Sequence, residues 1–418
     1  MRLGCWNVNG LLNNLKNSDF RSKLKLYDFI ALVETHHGTH SNIGLSGFDY
    51  YESAAVKPKN KTKGRKSGGL VLYFKKEYRG KILYIKSASN YIIWICLKKC
   101  YFTHMSRDVY IALVYSRPNA FREDTPLYNT LLHEITKYSN KGDIGMFGDF
   151  NCRISTLPDF FVETRDTYIP LPDTYYYDTV DYRNNTDSKT NICGIQLLKL
   201  CKETGLRIVN GRTVGDTFGA YTCYRPAGKS VVDFCLLQQH MLKNIRYFKI
   251  DTISEFSDHC LIEINLKYTL ASATDNVAHN CGLHLLYLRF MRTPDKHEKH
   301  ELALLEDKHI SFLSNAYGND DIGVENALSD FVSLMVNAGN TCLDIKQRKT
   351  NKNKNKSKTI KKPWFTGGCQ SYLKELKCLA QIMKTHPDDN ITHSKYFKIR
   401  KEYKQYSEKK KEIIKITS

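Results

Sequence analysis

Five short apolar runs of this chain are bounded by a carboxylate, carboxamide, phenol or imidazole, and their order along the chain is the strongest constraint on its fold. The polar boundaries are Trp6–Asn7–Val8–Asn9–Gly10, Val33–Glu34–Thr35–His36, Tyr115–Ser116–Arg117–Pro118, Gly148–Asp149–Phe150–Asn151 and Phe256–Ser257–Asp258–His259. Runs this short, apolar at consecutive positions, read as strands buried on both faces rather than as amphipathic helices. A buried polar group without a partner costs about 1–3 kcal/mol, so such residues are poor core material. Gathered on one rim, the same groups would make a hard-oxygen metal site with an acid/base pair.

Over the first 268 residues the strand-like runs are Leu3–Val8, Phe29–Val33, Gly69–Phe74, Tyr91–Leu97, Val109–Tyr115, Ile144–Phe147, Val231–Leu237 and Leu261–Leu266. Leu127–Tyr138 and Gly194–Thr204 have helical spacing, and Leu197, Leu200 and Cys201 fall on one face of the second. Strands covered on both sides, alternating with helices, imply a layered α/β fold. Gly68–Gly69 opens a strand and reads as a close approach of two backbones. Residues 152–193 are polar, Tyr- and Asp-rich, and read as a long surface loop. After Leu266 the texture changes, giving three expected segments. Residues 1–268 form the main domain, 269–345 a helical linker region and 346–418 a basic arm. Lys346–Lys362 has almost no apolar residue and reads as a flexible linker, followed by basic helices at Ser371–Lys384 and Ser394–Ile416.

The net charge is +20, and residues 346–418 alone carry 21 Lys and Arg against 6 Asp and Glu. That balance suits a polyanionic partner, because Lys and Arg near phosphates release condensed counterions. The 13 cysteines are scattered, and Cys5, Cys96, Cys235 and Cys260 sit inside apolar runs where a thiol acts as a small hydrophobe. The expected home is therefore reducing and intracellular. Met1–Arg2–Leu3 leads straight into a strand, so no leader is read. The longest apolar runs are too short to span a bilayer, and no membrane partner is expected.

Trp6-Asn7-x-Asn9-Gly10-Leu11, Glu34-Thr35-His36, Tyr115, Gly148-Asp149-Phe150-Asn151, Val232-Asp233-Phe234 and Ser257-Asp258-His259 together resemble the endonuclease/exonuclease/phosphatase superfamily, over residues 1–268. Within that span, Ile208–Val209–Asn210–Gly211–Arg212, Gly219–Ala220–Tyr221–Thr222–Cys223 and Ser230–Val231–Val232–Asp233 are similar to the endonuclease domain of LINE-type non-LTR retrotransposons. Lys362–Pro363–Trp364–Phe365 with Cys369 is similar to the segment joining endonuclease to reverse transcriptase, yet no Tyr/Phe-x-Asp-Asp polymerase motif occurs. The resemblance implies a four-layer α/β sandwich, two packed mixed β-sheets flanked by helices, here followed by a mainly helical C-terminal extension. It also implies a DNA-nicking phosphodiester hydrolase that uses Mg²⁺, with Mn²⁺ as a substitute. DNA is the expected partner, RNA is a further partner through the basic arm, and the nucleus is favoured over the cytoplasm.

Site residues follow from the same resemblance. Glu34 is the first metal ligand, with Asn9, Asp149, Asn151, Asp258 and His259 completing the set. Asp149 orients and deprotonates the attacking water, a role that needs hydrogen-bond reach. Asn151 donates to the phosphoryl oxygen as charge builds there. His259 faces the phosphate, and Asp233 fixes its ring and stabilises the cation. Tyr115 hydrogen-bonds the scissile phosphate, Asn7 holds the catalytic carboxylate or the phosphate, and Thr222 and Arg117 contact substrate. Two positions depart from the pattern. Asn9 stands where many repair members carry Asp, and Arg117 stands where two prolines commonly follow the tyrosine.

Two other functions compete. One is a phosphatase or phospholipase of the same superfamily, against which Val231–Val232–Asp233–Phe234 stands where the inositol-phosphatase branch shows Trp-Cys-Asp-Arg. The other is a catalytically idle nucleic-acid-binding remnant of an element, disfavoured by the complete residue set. His36, His37 and His40 sit in a polar loop without helical context, so they are not read as a zinc site. Lys57–Lys66 is either a solvated loop or a contact to the DNA backbone.

Overall fold

The computed structural model describes residues 1–55, 67–123, 125–161, 182–271 and 364–417. The basic runs 57–66 and 346–362, the helices expected within 283–345 and residues 162–181 lie outside these. In chain order the first strands are β1 (Arg2–Asn7), β2 (Phe29–Val33), β3 (Phe48–Ser53), β4 (Leu70–Lys75), β5 (Ile82–Lys86), β6 (Ile92–Leu97), β7 (Phe102–Thr103) and β8 (Asp108–Tyr115). There follow β9 (Gly142–Asp149), β10 (Leu206–Ile208), β11 (Cys223–Arg225), β12 (Gly228–Ser230), β13 (Asp233–Gln238), β14 (Ile245–Ile250), β15 (Ile262–Leu266) and β16 (Thr269–Leu270). The helices are α1 (Leu11–Leu15), α2 (Ser18–Leu24), α3 (Pro126–Ser139), α4 (Ile192–Thr204), α5 (Gly367–Thr385) and α6 (Asn390–Thr417).

One six-stranded sheet has the order β14-β15-β1-β2-β4-β3 and the other β10-β13-β9-β8-β6-β5. Both are mixed: β1 runs parallel to β2 and β8 to β9, while the remaining pairs within them are antiparallel. The period-2 alternation of side chains decides which residues meet. Phe29, Ala31 and Val33 of β2 face Val109, Ile111 and Leu113 of β8 within the core between the sheets. Their neighbours Ile30 and Leu32 point outward and pack with Leu11, Leu15, Phe20 and Leu24 of α1 and α2. On the opposite side Ala112, Val114, Ile144 and Met146 pack with Leu131, Ile135, Leu197 and Leu200 of α3 and α4. This is the expected four-layer α/β sandwich.

All eight expected strands are present, with shifts of one or two residues at their ends. The strands that sequence pattern did not reveal are chiefly β3, β5, β10 and β14, and these are the four sheet edges. β3, β5 and β14 meet solvent and carry polar residues that blunt further pairing, so their apolar signal is weak, whereas β10 is buried but only 3 residues long, too short to show a period. Helix ends follow local chemistry. Asn191 caps α4 by accepting from Gly194 N at 2.7 Å, and Gly205 ends the helix at φ 70° in the left-handed region. Leu197, Leu200 and Cys201 form its buried face, as the spacing predicts.

Gly68 and Gly69 hold φ of 76° and 90°, and their carbonyls accept from His36 N and Thr35 N. A Cβ on Gly69 would lie 2.5 Å from Thr35 Oγ1, so this glycine pair lets β4 brace the loop that carries Glu34. The C-terminal helices pack on the sandwich. Leu376, Leu379, Met383, Tyr396, Ile399 and Tyr403 join the apolar cluster of Tyr224, Phe248, Ile250 and Cys260. Lys384 donates to Ile250 O, and Arg400 donates to Glu255 O at 3.3 Å. No described helix is long and apolar enough to cross a membrane. Cys5, Cys96, Cys235 and Cys260 are free and buried, and burial pushes the Cys96 thiol up to about 11.

Candidate active site at the strand ends

Strand register brings the polar ends together. Tyr115 at the end of β8 pairs with Asp149 at the end of β9, and Asp149 pairs with Asp233 at the start of β13. Three reactive side chains therefore stand abreast on one edge of the second sheet. In the first sheet Asn7 at the end of β1 pairs with Val33, and Glu34 follows directly. Asn7 Nδ2 donates to Asp149 Oδ2 at 2.9 Å and so ties the two sheets together at this rim.

Three of the polar segments close in a short turn made by their own side chain. Asn7 Oδ1 accepts from Asn9 N at 3.1 Å, and Asp149 Oδ1 accepts from Asn151 N at 3.0 Å. Ser257 Oγ accepts from His259 N at 3.1 Å and donates to Asn7 O at 2.6 Å. These turns are what Asn, Asp and Ser do readily at two-residue spacing. Asn9, Glu34, His36 and Asn151 all adopt left-handed φ, between 44° and 53°. Such conformations cost about 1–3 kcal/mol each and persist where the surrounding structure over-determines them.

The electrostatics divide into linked pairs. His259 and Asp233 are 1% and 2% exposed, and Nδ1 of the ring lies 2.8 Å from Asp233 Oδ2. Burial alone would lower the imidazole pKa, but the Asp233 charge and its hydrogen bond hold it well above the ordinary range. The ring is thus a buried imidazolium, and beyond the Cys223 side chain its Nε2 has no hydrogen-bond partner. Asp149, 1% exposed, is pushed up to about 7 by burial first and by the Asp233 charge second. The His259 cation and the Asn7 amide pull it back. Tyr115 Oη donates to Glu34 Oε1 at 2.5 Å, and burial raises the phenol pKa. Burial opposes ionisation of Asp258, but His259 and Arg225 outweigh it and lower its pKa; Arg225 Nε donates to Asp258 Oδ2 at 3.1 Å.

The donor set can hold a hard divalent cation. Asp149 and Asp233 offer carboxylate oxygens that lie, with the His259 ring, within 4.8 Å of one another, and the Glu34 charge is felt at Asp149. A carboxyl raised first by burial and second by a neighbouring charge, as Asp149 is, is stabilised in its ionised form by an oxygen-seeking ion beside amide oxygens. Asn9 is exposed at the lip of the rim. Asn151 Nδ2 donates to Ser116 O at 2.8 Å, which leaves its second N–H for another acceptor.

Arg117 lies over the Tyr91 ring at 4.8 Å. Thr222 is fully buried: its hydroxyl accepts from Val232 N at 3.0 Å and Asp233 N at 3.1 Å, so it braces the start of β13. His36 lies 3.8 Å from Glu34, whereas His37 meets Thr35 at 2.6 Å and Glu52 at 2.9 Å. No metal-ligand group among the described residues includes His36, His37 or His40. The sequence assigns no role to Ser257, Arg225 or Cys223, although Ser257 stands beside Asp258–His259 and Cys223 closes the segment Gly219–Cys223 of the resemblance; Arg225 carries no such signal.

No protein-family model and no curated protein matches the chain. Among the solved structures similar to it are nucleases of the AP endonuclease/exonuclease/phosphatase fold. The APE2 catalytic domain from Xenopus laevis is 14% identical over 65% of this chain and 94% of that one, with a TM-score of 0.46. The 3′ phosphatase NExo from Neisseria, bound to product DNA hairpin, is 15% identical over 64% and 99%, with a TM-score of 0.42. The endonuclease domain of TRAS1, a telomere-specific non-LTR retrotransposon, is 16% identical over 64% and 97%, with a TM-score of 0.40.

Proposed function

We propose that this chain is a nuclease of the endonuclease/exonuclease/phosphatase superfamily that nicks DNA with a divalent metal ion, in the manner of a LINE-type retrotransposon endonuclease. One observation carries the reading: two buried pairs, Asn7–Asp149 and Asp233–His259, meet on one rim beside Glu34 and Tyr115. Glu34 and Asp149, with the oxygens of Asn9, Asn151 and Asp258, would hold Mg²⁺ or Mn²⁺, which when bound supplies positive charge to the phosphoryl oxygens.

Asp149 is the base. Its two oxygens are fixed by Asn7 Nδ2 and Asn151 N, so the remaining lone pairs are oriented toward an attacking water. Its raised pKa makes it a stronger proton acceptor than an ordinary carboxylate, at the cost of being partly protonated near neutrality. His259, held as a cation by Asp233, offers Nε2–H to the phosphate as charge accumulates. Tyr115 positions Glu34 through its hydroxyl. The second amide N–H of Asn151 and the Arg117 guanidinium are further donors for the phosphate and the flanking backbone. The excess of Lys and Arg suits a polyanion, and the nuclease body of this proposal is residues 1–268.

The test is conversion of supercoiled plasmid to open circles in Mg²⁺ or Mn²⁺ against EDTA, with Asp149→Ala and His259→Ala as controls. Metal-dependent nicking lost in both variants is expected. No nicking by the parent chain, or nicking indifferent to EDTA, overturns the reading.

A further inference from the structure

We propose that Cys223, Asp258 and His259 form a second, thiophilic metal site that takes Zn²⁺ and, when filled, blocks the nuclease reaction. The inhibitory half rests on the function proposed above; the binding half does not. Cys223 and His259 face each other across an antiparallel bridge. That bridge is locked on both sides, by Cys260 N donating to Thr222 O at 2.7 Å and Tyr224 N donating to Asp258 O at 2.8 Å. As a result Cys223 Sγ, an Asp258 carboxylate oxygen and a His259 ring nitrogen lie within 4.8 Å of one another.

Two independent observations mark this cluster as a site. First, His259 is 1% exposed; its Nδ1 is committed to Asp233, and beyond the Cys223 side chain its buried Nε2 has no partner. An imidazole anchored through one nitrogen by a carboxylate, with the other left open, is the arrangement that orients histidine toward zinc. Second, Cys223 lines an open cleft of ≈ 400 Å³ together with Tyr221, Arg225 and Ser230, which provides an entry path.

The geometry needs little adjustment. Zinc bonds of about 2.3 Å to sulfur and about 2.0–2.1 Å to nitrogen and oxygen put tetrahedral donors about 3.5 Å apart, so atoms that lie within 4.8 Å must close by at most about 1.3 Å. Asp258 shares its carboxylate with Arg225, whose side chain is 55% exposed and can turn away to solvent. Mg²⁺ has little use for a thiol, whereas a thiolate with an imidazole selects zinc. Binding would displace the thiol proton and the Nε2 proton into solvent, leaving His259 without the N–H it offers to phosphate.

The test uses the full chain. Co²⁺ serves as the spectroscopic probe, because thiolate ligation gives a charge-transfer absorption that oxygen ligation does not. Cys100 and Cys378 are the accessible thiols elsewhere among the described residues, so the signal is read as the difference between the parent and Cys223→Ser. The parent should show the thiolate band and release Co²⁺ to Zn²⁺. Cys223→Ser should lose that increment and need at least about tenfold more Zn²⁺ for half-inhibition of Mg²⁺-dependent nicking, with basal nicking retained. An identical cobalt spectrum in both chains, or an unchanged half-inhibitory Zn²⁺ concentration, overturns the proposal. If Cys223→Ser fails to fold by circular dichroism, Asp258→Asn is read by the cobalt spectrum alone, with an unchanged band counting against the site. Should the parent nick no DNA, the cobalt readout still decides the site, which separates this failure from that of the nuclease reading.

Discussion

Replacing Asp233 by Asn should move the whole alkaline limb of the pH–rate profile, because this carboxylate is what keeps His259 charged. The two side chains are 4% and 1% exposed and 2.8 Å apart. Burial works against the charged ring, and the Asp233 charge with its hydrogen bond more than offsets it. A hydrogen bond to a charged group is worth about 1.5–3 kcal/mol, so Asp233→Asn should lower the His259 pKa and weaken the cation by that order. Nicking would then fall about 10–100-fold on the alkaline side and less in mild acid, where the ring still protonates. Imidazole NMR of metal-free protein, assigned with His259→Gln, reads the pKa directly, and kcat/KM against pH reads its consequence. Stability has a matching sign. A folded pKa raised above the usual histidine value contributes stability that is complete below about pH 6.5 and is lost as pH rises through the raised value. The urea midpoints of parent and variant should therefore differ most below about pH 6.5 and converge only above the raised value. An unmoved ring pKa and an unmoved alkaline limb would refute the assignment of Asp233 as the group that holds the cation.

Other perturbations give separate readouts. Glu34→Gln removes one negative charge from the hard-cation site, so the Mg²⁺ concentration for half-maximal nicking should rise; an unchanged titration means that Glu34 does not bind the ion. Asp149→Asn should reduce nicking by at least about 100-fold. Because burial and Asp233 raise this carboxyl from 3.8 to about 7, the metal-free parent should lose stability as pH rises across that window. The variant should lose less, and equal slopes in urea unfolding would contradict the raised pKa. Gly69→Ala forces a Cβ within 2.5 Å of Thr35 Oγ1 at φ 90°, and should destabilise the fold by about 1–3 kcal/mol while weakening Mg²⁺ dependence through the Glu34 loop. A neutral thermal midpoint would show that the loop yields freely. Deleting 364–418 uncovers Tyr224, Phe248, Ile250 and Cys260, and should lower the thermal midpoint of the sandwich by more than about 5 °C; no change would mean that α5 and α6 contribute no packing energy.

The site was legible in sequence to the extent that its signals are local. Asn7, Glu34, Tyr115, Asp149, Asp233 and His259 each sit where a strand begins or ends, and the abrupt change from apolar to polar is written in consecutive letters. The same holds for Gly68–Gly69, whose positive φ values are what a glycine pair permits. The buried role of Thr222 was not legible, because a hydroxyl that accepts from Val232 N and Asp233 N looks the same in sequence as one that faces DNA. The partnership of Cys223 with His259 was hidden for a different reason: metal-ligand spacing is recognisable only when ligands are close in the chain, and here a strand bridge joins residues from separate segments.

By itself the sequence determined the interior strands, the two long helices of the sandwich and the chemistry available at the strand ends. Those follow from side-chain periodicity and turn preferences, which act over a few residues. Tertiary structure decided which strands became edges, which polar ends met and where α5 and α6 came to rest. It also decided which carboxyl groups titrate abnormally, since Asp149 is shifted by burial and by Asp233 rather than by its chain neighbours. Pairing register, burial and charge proximity depend on distances across the fold, and no local pattern encodes those distances.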